Sequence, residues 1–452
     1  MIPHAGKSFW IGDAGHYEPE PSLRSEERCD VVVIGAGIAG LSTAWNLRRA
    51  DASIRVIVLE AEIVGFGASG RAAGFVMPQI GLDEASVLKK YGDARAKESF
   101  RYGRHAVEYT KDIIKTHELD SEYRQPGLMR IAFSDRWRDK LAKTLEFYQS
   151  LPGNTATWIE GPAVQKEFAG NTDFKAAIFE GDVGVIHPCK HVRALKKLAM
   201  SAGVEVFENT PAVELHQTAN GVTARTPFGT VSADRMVIAT NGWTNSLQGG
   251  VGKLLKRDQA PYMARASVTE RLTPEQWESI GWLRRGPIES NASAFHWAVP
   301  TSDGRIVFNS TLNGAISRHG EYEPMASADG ADFSEEQIRR IFPQLRNVRR
   351  FQTWGGPVSI TRDLVPHIGY LAGDRVMYIN GCWGHGLSIS HLHGRTVAEI
   401  LRGEKSEFSD FWMLKKKKQP WPIPPLDYVG KVLVWQQRKT RAMKDSVGTI
   451  FE

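Results

Sequence analysis

The stretch Val31–Phe75, VVVIGAGIAGLSTAWNLRRADASIRVIVLEAEIVGFGASGRAAGF, decides how the rest of the chain is read. It opens on a short β-branched run, Val31 to Ile34, which suits a strand buried on both faces. Gly35, Gly37 and Gly40 follow in G-x-G-x-x-G spacing and lead into a helix-period segment through Leu41, Ala44, Trp45 and Leu47. A second apolar run, Ile54 to Leu59, ends at Glu60, twenty positions past Gly40. That is the spacing of an acid that hydrogen-bonds an adenosine ribose. Gly35 serves the strand-to-helix turn, Gly37 leaves the backbone open to a pyrophosphate, and Gly40 lets helix and strand pack closely. Free N–H groups at the helix start, Ile38 and Ala39, add partial positive charge for phosphates. Together these features imply a dinucleotide site.

Just past Glu60 and Ala61 the chain becomes poor in side chains: Gly67, Ala68, Ser69, Gly70, Arg71, Ala72, Ala73 and Gly74. Backbone N–H groups there can approach a second part of a cofactor, and Arg71 adds a fixed positive charge. The apolar run from Val237 ends in a small-residue turn, Ala239-Thr240-Asn241-Gly242. Far downstream, a strand from Met377 runs into Gly381-Cys382-Trp383-Gly384-His385-Gly386, with Leu387 opening a helix. A helix N-terminus in that place stabilises nearby negative charge by about 1 kcal/mol.

These segments resemble the D-amino-acid-oxidase-like family of FAD oxidoreductases, and most closely its gamma-glutamylputrescine oxidoreductase branch, where G-x-G-A-S-G-R is usual. Trp354-Gly355-Gly356 and Thr361 to Gly369 match that branch's W-G-G…T-x-D-x-x-P-x-x-G pattern. Gly381 to Gly386 matches the family's G-x-x-G-H-G. The resemblance spans about residues 8 to 404. It implies an α/β fold: a Rossmann-like FAD-binding domain of the glutathione-reductase type with an α+β substrate domain built on an antiparallel sheet. Both are discontinuous, with 1–92, 158–247 and 352–404 in the first, 93–157 and 248–351 in the second, and 405–452 as a C-terminal extension. It also places Val213 at the adenine, and the turn at Ala239, Thr240 and Gly242 over the cofactor. No cysteine stands at Trp354 to Val358, where some relatives attach FAD, so a non-covalent cofactor is expected.

The family oxidises C–N bonds by hydride transfer to flavin N5, and the resulting imine hydrolyses to an aldehyde and ammonia or an amine. Hydride loss requires a neutral amine, and an alkylammonium resembles lysine at about 10.4, so reaching neutrality at pH 7 costs roughly 4 kcal/mol. An apolar pocket can supply that. Phe75, Met77, Trp297, Trp354 and Trp383 are the candidates to line it, with Trp354, His296 and His385 as candidate catalytic residues. Amino-acid-oxidising members carry a carboxylate-clamping arginine before the D-G turn or after W-G-G. Here those places hold Val299 and Pro357-Val358, with Arg362 a few residues later, which favours an amine or a substrate whose acid group is remote from the C–N bond. The strand Arg305 to Phe308 lacks the lysine of oxygen-using relatives, so O2 and a quinone or other carrier both stay open as acceptor. Amino-acid or N-methyl amino-acid oxidation is the alternative within the family. A tRNA-directed enzyme and a non-catalytic flavoprotein are the alternatives outside it.

Composition narrows the field. At 452 residues the chain exceeds one compact core, and 42% hydrophobic with 24% charged residues is ordinary for a globular protein. A net charge of +6 is too dilute to imply nucleic acid. Cys29, Cys189 and Cys382 form no CxxC pair, which argues against a structural metal and for a reducing, cytoplasmic setting. No apolar run reaches the length of a membrane span. Lys415 to Lys418 reads as a solvated face.

Overall fold

The computed structural model describes residues 4–82, 84–169, 171, 173–290, 296–310, 315–316, 335, 338–339, 341–371 and 373–422. The sequence has helical period over Ser334 to Phe342 and a strand-like run from Ala294 to Val299; most of the first, the start of the second, and the extension past 422 lie outside the described residues.

Two large sheets organise the chain. The first has eight strands, ordered His367–Tyr370, Val376–Asn380, Thr230–Ile238, Glu27–Ile34, Val56–Leu59 and Glu205–Phe207, with the hairpin Glu214–Thr218/Gly221–Arg225 added to Thr230–Ile238. The five strands from Val376–Asn380 to Glu205–Phe207 run parallel. Its central strands are buried on both faces, as their β-branched runs require. Val31, Val33, Val56, Val58 and Val237 pack into one core with Leu41 and Trp45 of the helix Ile38–Ala50. Val32, Ile34, Ile57, Leu59 and Ile238 pack into a second core on the other side. The helix Gly386–Leu401 lies against Ile38–Ala50 so closely that a Cβ on Gly394 would sit 2.7 Å from the Cβ of Ser42. Among the described residues, no helix is long and apolar enough to cross a membrane.

The second sheet has nine strands, ordered Ala315–Ile316, Gln259–Thr269, Ile306–Ser310, His296–Pro300, Ile288–Ser290, Leu128–Ala132, Ala176–Glu180 and Thr157–Glu160, with Arg350–Thr361 also paired to Gln259–Thr269. Its pairings among the described residues are antiparallel except one: Ile288–Ser290 runs parallel to Leu128–Ala132. Three strands that the sequence reading grouped with the FAD-binding segments, Thr157–Glu160, Ala176–Glu180 and Arg350–Thr361, hydrogen-bond into this sheet. Arg350–Thr361 is twelve residues long and pairs along nearly the whole of Gln259–Thr269. Its ladder partner, rather than the glycines it carries, decides where it belongs. The sequence over Ala94 to Thr116 has helical period with Phe100, Tyr102, Ala106, Tyr109 and Ile113 along one stripe, and the long helix Asp93–Thr116 buries all of these but Tyr109, which is half-buried.

Candidate functional site

One cavity of about 1250 Å³ lies between the carboxyl ends of the parallel strands and one face of the nine-stranded sheet. Open parallel sheets bind ligands at this end, outside the strand termini. Ligand pockets commonly run to about 1,000 Å³, so this one has room for a dinucleotide and a further molecule.

The cradle wall is mostly backbone. Gly35 turns the chain at φ +101°, and a Cβ on Gly40 would lie 2.0 Å from the Gly35 carbonyl oxygen, so helix and turn meet only without one. Ala36 N–H donates to Glu60 Oε2 at 2.9 Å, and Glu62 N–H donates to Oε1 at 3.2 Å. Burial nonetheless pushes the Glu60 carboxyl up to about 7. Ser69 ties the second loop to the first by accepting from Ile38 N–H at 3.0 Å. The Arg71 guanidinium lies 4.2 Å over the Phe66 ring, bonds the Phe66 carbonyl, and donates to the Gly355 carbonyl at 3.0 Å, which joins the loop to the sheet. At the third turn His385 Nδ1 is 3.0 Å from the Trp383 carbonyl, and the helix Gly386–Leu401 starts directly behind it. An acid placed for a ribose, a glycine-lined turn at a helix start and a second helix N-terminus fit the parts of FAD.

The opposite wall is a sheet face. Ala260, Tyr262, Ala264 and Ala266 alternate into the cavity, opposite Ile360, Val358, Gly356 and Trp354. Glu289, Trp297 and Asn309 complete it. Trp354 is fixed by donating from Nε1 to the Arg71 carbonyl at 2.9 Å, and Trp297 meets Phe75 edge to face with centroids 5.7 Å apart.

Of the residues named from sequence, the cavity is lined by Gly35, Gly37, Ile38, Ala39, Glu60 and Ala61, and by Gly67, Ala68, Ser69, Arg71, Ala72 and Ala73. Ala239, Thr240, and Cys382 through Leu387 also line it, as do Phe75, Met77, Trp297 and Trp354. Gly40, Gly70, Gly74, Gly242 and Gly381 stand behind the wall instead, where a Cβ would strike the neighbouring chain at 2.0–2.8 Å. Val213 is also off the wall. Its N–H and C=O are taken by Arg225 and Gln248, and Pro211 and Ala212 line the cavity in its place. His296 lies off the wall too, because it precedes Trp297 in a strand and successive side chains point to opposite faces.

Three contributions escaped the sequence reading. Glu289 is one. The N-terminal arm is another: its helix Phe9–Asp13 packs Phe9 and Trp10 beneath Trp354, with centroids 6.3 and 6.4 Å away. The third is the lysine run, which is not one solvated face. Lys415 and Lys417 are exposed, while Lys416 bonds the buried Asp363 and Lys418 lies 4.0 Å over the Tyr378 ring. The strap then runs to Trp421, which exchanges backbone and side-chain hydrogen bonds of 2.7 Å with Arg257 and lines the cavity with Pro422. Asp363 also bonds His367 at 2.9 Å, and His367 bonds Asp258 at 2.7 Å, so the strap is fastened to a buried polar cluster.

Comparison with known proteins agrees with this architecture. The chain is 28% identical over 411 residues to gamma-glutamylputrescine oxidoreductase from Escherichia coli, covering 91% of this chain and 92% of that protein. It is 26% identical over 411 residues to the probable oxidoreductase OrdL of Haemophilus influenzae, covering 90% and 91%. Among solved structures, glycine oxidase from Geobacillus kaustophilus superposes with a TM-score of 0.72 at 20% identity, over 86% of this chain and all of that one, and so shares the fold. Residues 30–400 match the family model described as DAO, FAD dependent oxidoreductase, and the chain belongs to that family.

Proposed function

We propose that the protein oxidises the C–N bond of an amine to an imine, which water converts to a carbonyl compound and ammonia or a smaller amine. One observation carries this reading. Pro357 and Val358 line the cavity at a place where the family resemblance gives amino-acid oxidases a carboxylate-clamping arginine, and the buried Val299 occupies the other. FAD, when bound, supplies the two-electron acceptor for hydride from the carbon beside the nitrogen.

The chain's own residues prepare the amine. Trp297, Phe75, Met77 and Trp354 surround it with apolar surface, which disfavours the ammonium form and excludes water. Indole and phenyl faces hold the cation before it loses its proton. The Trp383 carbonyl can only accept, so Nδ1 of His385 carries a hydrogen, and Nε2 is the ring position that can exchange a proton with the amine. With no cysteine at Trp354 to Val358, FAD is held without a covalent bond. Three cysteines without disulfides fit a cytoplasmic protein, and the absence of lysine from Ile306–Ser310 leaves O2 or a quinone as the oxidant.

Anaerobic mixing with amines and with amino acids tests the reading. Amines should bleach the flavin in the visible. Bleaching by amino acids alone would favour the second reading, amino-acid oxidation, which the part-buried Arg265 and the exposed Arg362, both on the cavity wall, support. Flavin that neither class bleaches would leave a non-catalytic flavoprotein.

A further inference from the structure

This inference rests on the amine reading and adds to it the residue that recognises the amine. The register of four neighbouring strands sets its geometry. Arg130 pairs with Glu289, Glu289 with Trp297, and Trp297 with Asn309, so four side chains stand in one row across the sheet. Glu289, Trp297 and Asn309 reach the cavity, whereas Arg130 sits behind Glu289 and donates from Nη1 to its Oε2 at 2.8 Å. The Nε of Arg130 bonds Glu180. Two carboxylates thus share one guanidinium, and although burial raises the Glu289 carboxyl, the Arg130 guanidinium pulls it back toward the ionised form. The Glu289 side chain is 11% exposed.

Nearly buried ion triads contribute little to stability compared with apolar packing, so stability does not account for a carboxylate here. Its surroundings suggest a role. Arg130 fixes one oxygen, leaving Oε1 without a hydrogen bond from it, beside the Trp297–Phe75 pair. A carboxylate flanked by aromatic rings attracts an alkylammonium and repels a second carboxylate; because it also favours the charged form, the apolar faces and His385 must draw the proton off against it. We propose that Glu289 is the specificity-determining residue, receiving the substrate's ammonium nitrogen and excluding amines that carry a carboxylate on the same carbon. The substrates are then alkylamines rather than amino acids.

A matched pair of probes tests this on the holoenzyme. tert-Butylamine and 2-aminoisobutyrate differ by a methyl against a carboxylate, and neither has hydrogen on the carbon bearing nitrogen, so neither is oxidised. Titration calorimetry should show the wild type binding tert-butylamine at least roughly tenfold more tightly. Glu289→Gln should lose about tenfold or more of that affinity and keep or improve binding of 2-aminoisobutyrate, with flavin content reporting its fold. Three results overturn the proposal: wild-type preference for 2-aminoisobutyrate, as expected if Arg130 were released to clamp a carboxylate; no measurable binding of tert-butylamine; or a folded Glu289→Gln with unchanged preference. The first two need no variant, so a Glu289→Gln that fails to fold does not shelter the idea. If amines bleach the flavin while Glu289→Gln keeps its preference, this inference fails and the amine reading stands. If only amino acids bleach it, the amine reading itself fails.

Discussion

The two walls of the cavity are built on different principles. The cradle wall is made of turns and helix starts, and its contacts come from glycines, backbone N–H groups and Glu60, most of them within one stretch of chain. The sheet wall is made of side chains aligned by register from strands that are far apart in sequence, and it is braced by both ends of the described chain. Backbone recognises what any dinucleotide presents, phosphate and ribose, and leaves little room for variation. A row of side chains can be changed one residue at a time without disturbing the ladder beneath it. The proposed function thus places cofactor identity and substrate choice in separable walls, with Arg71 joining them through its bond to the Gly355 carbonyl.

The largest effect should come from breaking the cradle. Gly40→Val places branched carbon where even a Cβ lies 2.0 Å from a carbonyl oxygen. Overpacking against backbone costs about 3 kcal/mol or more, and the purified protein should retain less than roughly a tenth of its flavin. A fully yellow, stable variant would show that the wall does not depend on this contact.

Next in size is Glu60. Its ionised form accepts ribose hydroxyls at both oxygens and more strongly than the protonated form, and in the free protein burial raises it to about 7, with Ala36 and Glu62 N–H pulling it down. FAD affinity should therefore climb with pH below that value, by up to about tenfold per unit, level off above it, and release protons on binding. The sign for stability is opposite. A carboxyl whose folded value is raised makes the FAD-free protein less stable as pH rises from the ordinary carboxylate range to about 7. Glu60→Gln should remove both slopes and weaken FAD by about 1.5–3 kcal/mol. A pH-independent affinity in the wild type would mean that the carboxylate does not touch the cofactor.

Legibility in the sequence followed the same division. The cradle could be read because the turn, the helix start and Glu60 are fixed by local spacing, and glycine declares its backbone need directly. The spacing did not distinguish glycines on the wall from those behind it, since Gly37 and Gly40 differ only in what packs against them. His296 was misplaced for a reason the sequence did contain: it cannot share a face with Trp297 in the same strand. Glu289 was not legible, because its row depends on a parallel pairing between residues about 160 apart, and no local pattern announces such a register. The lysine run misled because four identical residues carry no periodicity, and their alternation comes from the extended path of the strap.

The strap sharpens the contrast between the walls. Trp421 lines the cavity beside Ile360, whose carbonyl its Nε1 reaches at 3.3 Å. On the proposed function, Trp421→Ala should raise the KM for the amine by roughly tenfold while flavin content holds, because it stands on the sheet wall. Equal loss of flavin would merge the two walls into one. The smallest effects separate neighbouring lysines. Lys415→Ala and Lys417→Ala should leave limited proteolysis of the strap unchanged, whereas Lys416→Ala should speed it. Burial alone would push the Asp363 carboxyl up, but its bonds to His367 and Lys416 outweigh that and hold it at about 2. A depressed carboxyl stabilises above its unfolded value of 3.8, and that support is lost as pH falls through about 2. Acid should thus loosen the strap over that interval, with His367 staying charged throughout, and Lys416→Ala should move the loss to higher pH. Identical responses from all three lysine variants would mean that the strap is not clipped at Asp363, and that its aromatic residues alone hold it against the cavity.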